Sequence, residues 1–317
     1  MKLQGNVVSI IQMNSPLTVD SRLQKYGAPE QEYFNYTAYV IAMTAFRALT
    51  MEVETVPKPG LVDPITPGAH RDMDIHTFRA SIRAITPFFK KMAAAGLSHS
   101  GSPQELFPKL RKIGVLAEKA MFSATGGVNT HKGAIFSIGL LSAAAGLLLR
   151  NQDCVTAKAI VSLSSQIAGP EIEKEWNNVI QRPVHTNGEL LFLRYGNRGA
   201  RGEAASGYPS VRAVFHQFKK EVEAGRKQND VNLQTLFRLM AITEDTNVLA
   251  RCGSETLRWM KKMAIQVLAA GGAYSEKGMT LITHLDPIFT KRNISPGGCA
   301  DLLSAVLFLD QLEHLRF

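Results

Sequence analysis

The sequence predicts an all-α protein, and two observations support this fold class. Apolar residues recur at helical spacing through most of the 317 residues. The short alternating runs rich in Val and Ile that a β-sheet requires are absent from the sequence. No repeat, low-complexity tract or linker divides the chain. We therefore expect one multi-helix, bundle-like domain over 31–317, with an active site formed by inter-helix loops, preceded by a mobile N-terminal arm over 1–30.

Ten helices are expected in chain order. They cover 31–56, 74–95, 103–123, 130–150, 155–176, 210–224, 231–243, 254–270, 274–291 and 298–315. Pro87 and Pro287 lie inside two of these segments and are expected to kink or split them. The longest apolar run, 133–149, is shorter than the roughly 20 residues that a membrane span needs. A central buried helix is therefore expected there, with Gly139 and Ala143 allowing close helix approach.

Composition excludes some classes of protein. Hydrophobic residues make up 45% of the chain and charged residues 20%, which excludes wholesale disorder. Lys and Arg exceed Asp and Glu by 36 to 27, a balance that favours phosphate-rich partners. The three cysteines are far apart, which indicates neither a disulfide framework nor a structural zinc site. The first residues match a signal peptide poorly, so a cytoplasmic protein is expected.

Two irregular segments in the first half of the chain concentrate polar chemistry. The segment 52–74 contains four prolines and five carboxylates, although Asp72 or Asp74 could simply cap the next helix. The segment 125–133 leads into the buried helix, so its backbone amides and Lys132 could bind an anion. Alternatively, Asn129 or Thr130 only caps that helix, and His131 is structural.

Three further segments follow. Over 198–209, Arg198 and Arg201 suit phosphate oxygens, and Glu203 could serve a metal or act as a base. A turn held by an Arg–Glu pair is the alternative. The segments 244–251 and 296–301 complete the set, and Asp301 in the latter could be only a favourable charge in a first helical turn.

The sequence blocks in these segments resemble one family, the triphosphoribosyl-dephospho-CoA synthases. The matching blocks are PKPGLVD from Pro57, GAHRDM from Gly68, TGGVNTHKGAIF from Thr125, GARGEAASGYP from Gly199, EDTNVLAR from Glu244 and SPGGCADLL from Ser295. Each block alone is weakly specific, but six in one order are highly specific. The resemblance runs from about Phe34 to the end of the chain.

The resemblance implies a transferase that makes the prosthetic-group precursor of citrate lyase or malonate decarboxylase. It would join the 5-triphosphoribosyl group of ATP to the ribose 2′-hydroxyl of 3′-dephospho-CoA and release adenine. ATP is then a substrate and Mg²⁺ the expected cofactor. The product would pass to an acyl-carrier-protein subunit through a separate transferase. No nucleic acid or membrane partner is expected, and the oligomeric state stays open, a dimer included.

Residue roles follow from this reaction, which needs a bound triphosphate and a base for the attacking hydroxyl. The candidate catalytic residues are Glu203, Asp245 and Glu54. The candidate metal ligands are Asp63, Asp72, Asp245 and Asp301. The candidate residues for substrate and phosphate binding are Lys58, His70, Asn129, Thr130, His131, Lys132, Arg198, Arg201, Asn247 and Arg251. All are expected to converge on one pocket.

Two other functions are compatible with parts of the sequence. A metal-dependent hydrolase of a nucleotide or ADP-ribosyl group would use His70, Asp72, Asp245 and Asp301 around divalent ions. A basic, non-catalytic nucleic-acid binder is disfavoured because the distinctive segments carry many carboxylates, which repel a phosphate backbone.

Overall fold

The computed structural model describes residues 30–179, 183–184 and 186–316. Within those ranges the chain forms twelve α-helices and one 3₁₀ turn, and no β-strand, so the all-α prediction is confirmed. The expected mobile arm lies outside the described residues, except for Glu30, which begins the first helix.

The helices are numbered here in chain order. They are α1 Glu30–Val53, α2 Ile75–Leu97, α3 Pro103–Ala124, α4 Lys132–Leu149, α5 Ala157–Val179, α6 Asn187–Tyr195, α7 Gly199–Ala205, α8 Pro209–Glu223, α9 Gln228–Ile242, α10 Thr246–Ala269, α11 Glu276–Lys291 and α12 Gly297–Glu313. The 3₁₀ turn is Gly272–Tyr274, between α10 and α11.

The structure differs from the predicted helices in three respects. Helix α10 begins at Thr246, eight residues before the predicted start, and Gly253 within it has non-helical dihedral angles. Helices α6 and α7 lie where periodicity fades, because short helices bury too few residues to produce a periodic pattern. The sequence signals of α6 are local. Thr186 caps the start of this helix, and Gly196 ends it in a left-handed conformation. In addition, Pro87 and Pro287 do not split their helices, since α2 and α11 are each continuous through the proline. Tertiary packing of α2 outweighs the backbone hydrogen bond lost at Pro87.

Helix α4 lies at the centre of the fold, packed against α1, α2, α3, α5 and α12. By length and composition it could cross a membrane, but 72% of it is buried inside the protein, as predicted for a core helix. Glycines allow α2 and α4 to approach closely. A Cβ on Gly96 would lie 2.1 Å from the carbonyl oxygen of Ala143, and one on Gly146 would lie 2.3 Å from that of Ala93. The predicted close approach at Gly139 involves the Met92 side chain instead.

Candidate active site

The first turns of α10 and α12 are joined by one buried carboxylate, that of Asp245. Its Oδ1 accepts hydrogen bonds from the backbone N–H groups of Asn247 at 2.9 Å and Val248 at 3.1 Å. Its Oδ2 accepts from the N–H of Cys299 at 2.8 Å. Burial raises the pKa of Asp245, although these three bonds oppose the rise. Asp245 therefore caps α10 and ties it to α12.

The first turn of α4 meets α12 through Asp301. A Cβ on Gly133 would lie 2.1 Å from Oδ2 of Asp301, so only glycine leaves room for this carboxyl group. Burial raises the pKa of Asp301 well above its usual range, and the negative charges of Glu52 and Asp245 raise it further. Three helix N-termini thus lie close together, those of α4, α10 and α12.

The segment between α1 and α2 is shaped by Asp63, whose two carboxylate oxygens accept three backbone hydrogen bonds. Oδ2 accepts from Lys58 N at 3.0 Å, and Oδ1 accepts from Ile65 N and Thr66 N at 2.8 and 2.9 Å. This arrangement holds Lys58 in the interior, where its Nζ lies 2.5 Å from Oε1 of Glu52. Burial raises the pKa of Glu52, and the Lys58 charge opposes that rise.

His70, near the end of the segment between α1 and α2, forms a second polar group with Arg251 of α10. Arg251 donates to the carbonyl oxygen of Ala69 at 2.9 Å. The Nε2 atom of His70 lies 2.9 Å from Oγ of Ser295, and its Nδ1 lies 4.0 Å from a carboxylate oxygen of Asp72. Burial and the Arg251 charge lower the pKa of His70, opposed in part by Asp72. His70 is therefore neutral at pH 7.

One cavity of about 130 Å³ lies between α1, α2, α4, α10 and α12, and members of each of these groups line it. Four of the five predicted segments contribute to it, over 52–73, 129–133, 247–251 and 295–301. The sequence-predicted residues that line the cavity are Lys58, His70, Asn129, Thr130, His131, Lys132, Asn247, Arg251 and Asp301. Glu52 and Ser295 line it as well, without having been assigned a role from the sequence.

The remaining predicted segment, 198–209, does not reach this cavity, because it forms helix α7 on the surface of α5. Glu203 accepts hydrogen bonds from Ser210, through the backbone N–H and through Oγ at 2.5 Å, and so supports the start of α8. Arg198 pairs with Glu173 at 2.5 Å, and Arg201 pairs with Glu175 at 2.9 Å. Arg201 lines a separate, mostly apolar cavity between α2, α3 and α4.

Most of the carboxylates predicted as bases or metal ligands also lie elsewhere. Glu54 pairs with Arg79 at 2.9 Å, and the side chain of Asp72 is 64% exposed. Asp63 and Asp245 use both oxygens for backbone hydrogen bonds. Asp301 is the predicted metal ligand that lines the cavity. Among the residues that the structure describes, no group of three or more His, Cys, Asp or Glu side chains is placed to hold a metal ion by itself.

Local capping accounts for some of the polar residues that the sequence singled out. Asp74 caps α2 and forms a reciprocal capping box with Thr77, which was the alternative role considered for this position. Asn129 accepts a hydrogen bond from the backbone N–H of Lys132 at 3.2 Å. Ser81, which bonds to His131, lies inside a helix and gave no signal in the sequence.

Comparison with known proteins identifies relatives over most of the chain. The sequence model of the ATP:dephospho-CoA triphosphoribosyl transferase family matches residues 38–316. A probable 2-(5″-triphosphoribosyl)-3′-dephosphocoenzyme-A synthase of Photobacterium profundum is 42% identical, covering 87% of this chain and 88% of the relative. The synthase of Pectobacterium atrosepticum is 40% identical, covering 86% and 89%, and that of Klebsiella pneumoniae is 38% identical, covering 83% and 87%. No solved structure matches the chain.

Proposed function

The chain belongs to the ATP:dephospho-CoA triphosphoribosyl transferase family, and we propose that the cavity at the N-termini of α4, α10 and α12 is where the transfer takes place. The reaction joins the 5-triphosphoribosyl group of ATP to the ribose 2′-hydroxyl of 3′-dephospho-CoA and releases adenine. The family match does not support the hydrolase alternative. One observation carries the assignment of the site: polar residues from four separate chain segments line the same cavity.

The triphosphate of ATP binds near the helix N-termini in this proposal, because these ends carry partial positive charge. Lys132 and Arg251 add full charges at the cavity wall. Lys132 is more than half exposed and pairs with Glu118 at 3.0 Å, so its side chain can turn toward a more highly charged phosphate. Arg251 offers a planar guanidinium group that suits phosphate oxygens. The polar side chains of Asn129, Thr130 and Asn247 border the same space.

The carboxylates in the cavity fit Mg²⁺ when the substrate completes the site. Mg²⁺ is usually held by one or two carboxylates together with phosphate oxygens and water. Glu52 and Asp301 both line the cavity, and the charge of Glu52 contributes to the raised pKa of Asp301. These two residues would hold the ion, which when bound would neutralise charge on the triphosphate.

His70 accepts the proton of the attacking hydroxyl in this mechanism. It lines the cavity and is neutral at pH 7, whereas Glu203, Asp245 and Glu54 do not line it. A bond forms between the 2′-oxygen of dephospho-CoA and the anomeric carbon of the ATP ribose. The bond from that carbon to adenine breaks, and the electron pair of this bond leaves with adenine. Asp72, 4.0 Å from Nδ1, then stabilises the charged imidazole ring.

The site assignment is tested by binding and turnover in cavity variants. Arg251→Ala should weaken ATP binding by about 10- to 100-fold, since a charge-assisted hydrogen bond typically contributes about 1.5–3 kcal/mol. Asp301→Asn should raise the Mg²⁺ concentration needed for half-maximal rate. Calorimetry with ATP and a Mg²⁺ titration of turnover measure the two effects. Unchanged ATP affinity in Arg251→Ala and in Lys132→Ala would place the triphosphate outside this cavity.

Product analysis separates transfer from hydrolysis. Purified protein is mixed with ATP, Mg²⁺ and dephospho-CoA, and the products are identified by mass spectrometry. Adenine should appear only when dephospho-CoA is present. Equal release of adenine without the acceptor would indicate a hydrolase.

We also propose the cellular setting that the family resemblance implies. The product would pass to an acyl-carrier-protein subunit through a separate transferase. Both the synthesis of this product and its transfer to the acyl-carrier-protein subunit would take place in the cytoplasm, without nucleic acid or membrane partners. A dimer is the first assembly to test, by light scattering of the purified protein.

A further inference from the structure

We propose that His131 is a neutral hydrogen-bond donor to the triphosphate of ATP, and that Ser81 is the positioning residue that sets its tautomer. This inference rests on the proposed function, because it requires the triphosphate to lie in the cavity that His131 lines.

The two ring nitrogens of His131 have different surroundings. The side chain is only 2% exposed, and Nδ1 lies 2.8 Å from Oγ of Ser81. The Nε2 atom is buried and has no hydrogen-bond partner among the residues that the structure describes. An unsatisfied buried polar atom is costly, and native structures rarely keep one without a purpose. A ligand in the cavity would give Nε2 the partner that it lacks.

A short chain of hydroxyl groups lies on the Nδ1 side of the ring. Thr130 Oγ1 donates to Ser81 Oγ at 2.7 Å, and each hydroxyl has one proton to give. In the proposed arrangement Ser81 donates its own proton to Nδ1 of His131, which accepts with its lone pair. Thr130 Oγ1 also lies 3.1 Å from Nδ1, but its proton is already directed at Ser81. The single proton of the neutral ring is thus on Nε2.

The ring stays neutral over the physiological pH range. Burial lowers the pKa of His131 to about 3, and the charge of Lys58 contributes to the same effect. The carboxylate of Glu52 beside Lys58 offsets part of that charge. The edge of the ring packs on Phe78, with the ring centroids 4.8 Å apart, which limits its rotation. His131 is therefore a fixed donor and neither an acid nor a base at neutral pH.

The position of His131 favours an anionic oxygen as its acceptor. It directly precedes α4 and Lys132, where the helix N-terminus favours negative charge. A hydrogen bond to a phosphate oxygen is stronger than one to a neutral acceptor. A neutral donor at this point also binds the triphosphate without adding positive charge beside buried Lys58.

The tautomer is tested directly by ¹⁵N NMR of histidine-labelled protein, with inorganic tripolyphosphate as the probe. In the wild-type protein, His131 should show a protonated Nε2 and an unprotonated Nδ1, and the Nε2–H signal should shift when tripolyphosphate is added. In the double variant Ser81→Ala/Thr130→Val, which removes both hydroxyl groups that lie within hydrogen-bond distance of Nδ1, the preference for this tautomer should be lost. Ser164→Ala is the matched control, because this buried hydroxyl donates to the carbonyl oxygen of Val161 in its own helix.

Kinetics provide a second readout. His131→Ala should raise the KM for ATP about 10- to 100-fold. His131→Gln places an amide N–H near the position of Nε2, so it should restore most of that loss. A purely structural role of the ring would make both variants similarly unstable and would leave no selective rescue by Gln.

Three results would overturn this inference: a proton on Nδ1 in the wild-type protein, an unmoved Nε2–H signal at saturating tripolyphosphate, or a KM for ATP in His131→Ala equal to that of the wild-type protein. Failure of the proposed site would look different. In that case Lys132→Ala and Arg251→Ala would also bind ATP normally, whereas failure of this inference alone leaves their losses in place.

Discussion

Acidification should destabilise the protein through His131, and a variant at this position isolates the effect. The folded-state pKa of the ring is lowered from its ordinary value of 6.5 to about 3, chiefly by burial. The unfolded chain therefore binds a proton before the folded protein does. Stability supplied by the neutral ring is complete above the unfolded pKa and is lost as the pH falls from about 6.5 toward about 3.

The size of this effect follows from the shift. Each pH unit within this window reduces the folding equilibrium constant about tenfold, so two units reduce it about a hundredfold, or about 3 kcal/mol. Glu52, Asp245 and Asp301 have raised pKa values and act in the opposite direction. Because they are present in both proteins, their contributions cancel in the difference between wild type and His131→Gln.

Urea unfolding measured at several pH values from about 7.5 to about 4.5 checks this prediction. The wild-type protein should lose stability relative to His131→Gln by about one factor of ten per pH unit below about 6.5. Phe at the same position, which cannot take up a proton, serves as a second reference. If the difference in unfolding free energy between the wild-type protein and His131→Gln stays constant across this range, the His131 ring titrates normally when folded. That result would refute the claim that His131 is a neutral hydrogen-bond donor.

Three further predictions concern the cavity. Gly133→Ala should displace the Asp301 carboxyl group, because the new Cβ would lie 2.1 Å from its Oδ2, and should lower turnover and raise the Mg²⁺ requirement. Gly114→Ala, whose Cβ would meet nothing closer than 3.7 Å, is the matched control, and equal loss in both variants would contradict this explanation. Arg201→Ala, measured by ATP calorimetry beside Arg251→Ala, should keep near-normal affinity because Arg201 lies at the other cavity; a tenfold loss would instead support its sequence-predicted phosphate role. His70→Gln should lower kcat about 10²- to 10⁴-fold. The kcat/KM of the wild-type protein should stay level from about pH 8 down to the ordinary His value and fall only below it, because burial and Arg251 lower the pKa of His70. Asp72→Asn should move this fall to still lower pH, since Asp72 raises that pKa, and an unmoved pH profile would exclude His70 as the base.

The all-α class and the central helix could be predicted from the sequence because helical periodicity is a local property of the chain. The run over 133–149 has few polar residues on any face, and a helix of that kind must be surrounded by others. The family could be predicted for a related reason, since the six sequence blocks occur in a fixed order. Glycine-bounded polar segments also pointed to 129–133 and 295–301, and both segments line the cavity.

Other features of the site depend on which helix ends meet, and that is decided by packing between segments far apart in sequence. The sequence made Glu203 a candidate base, yet α7 packs on α5 and places Glu203 beside Ser210. Ser81 had no distinguishing neighbours in the sequence, but the crossing of α2 and α4 brings its hydroxyl to within 2.8 Å of His131. The sequence by itself determined the all-α class, the family and the polar segments that lie at helix ends. Only the tertiary structure decided which of these ends share a cavity, because burial, charge and hydrogen bonding act between atoms that are close in space, however far apart they are along the chain.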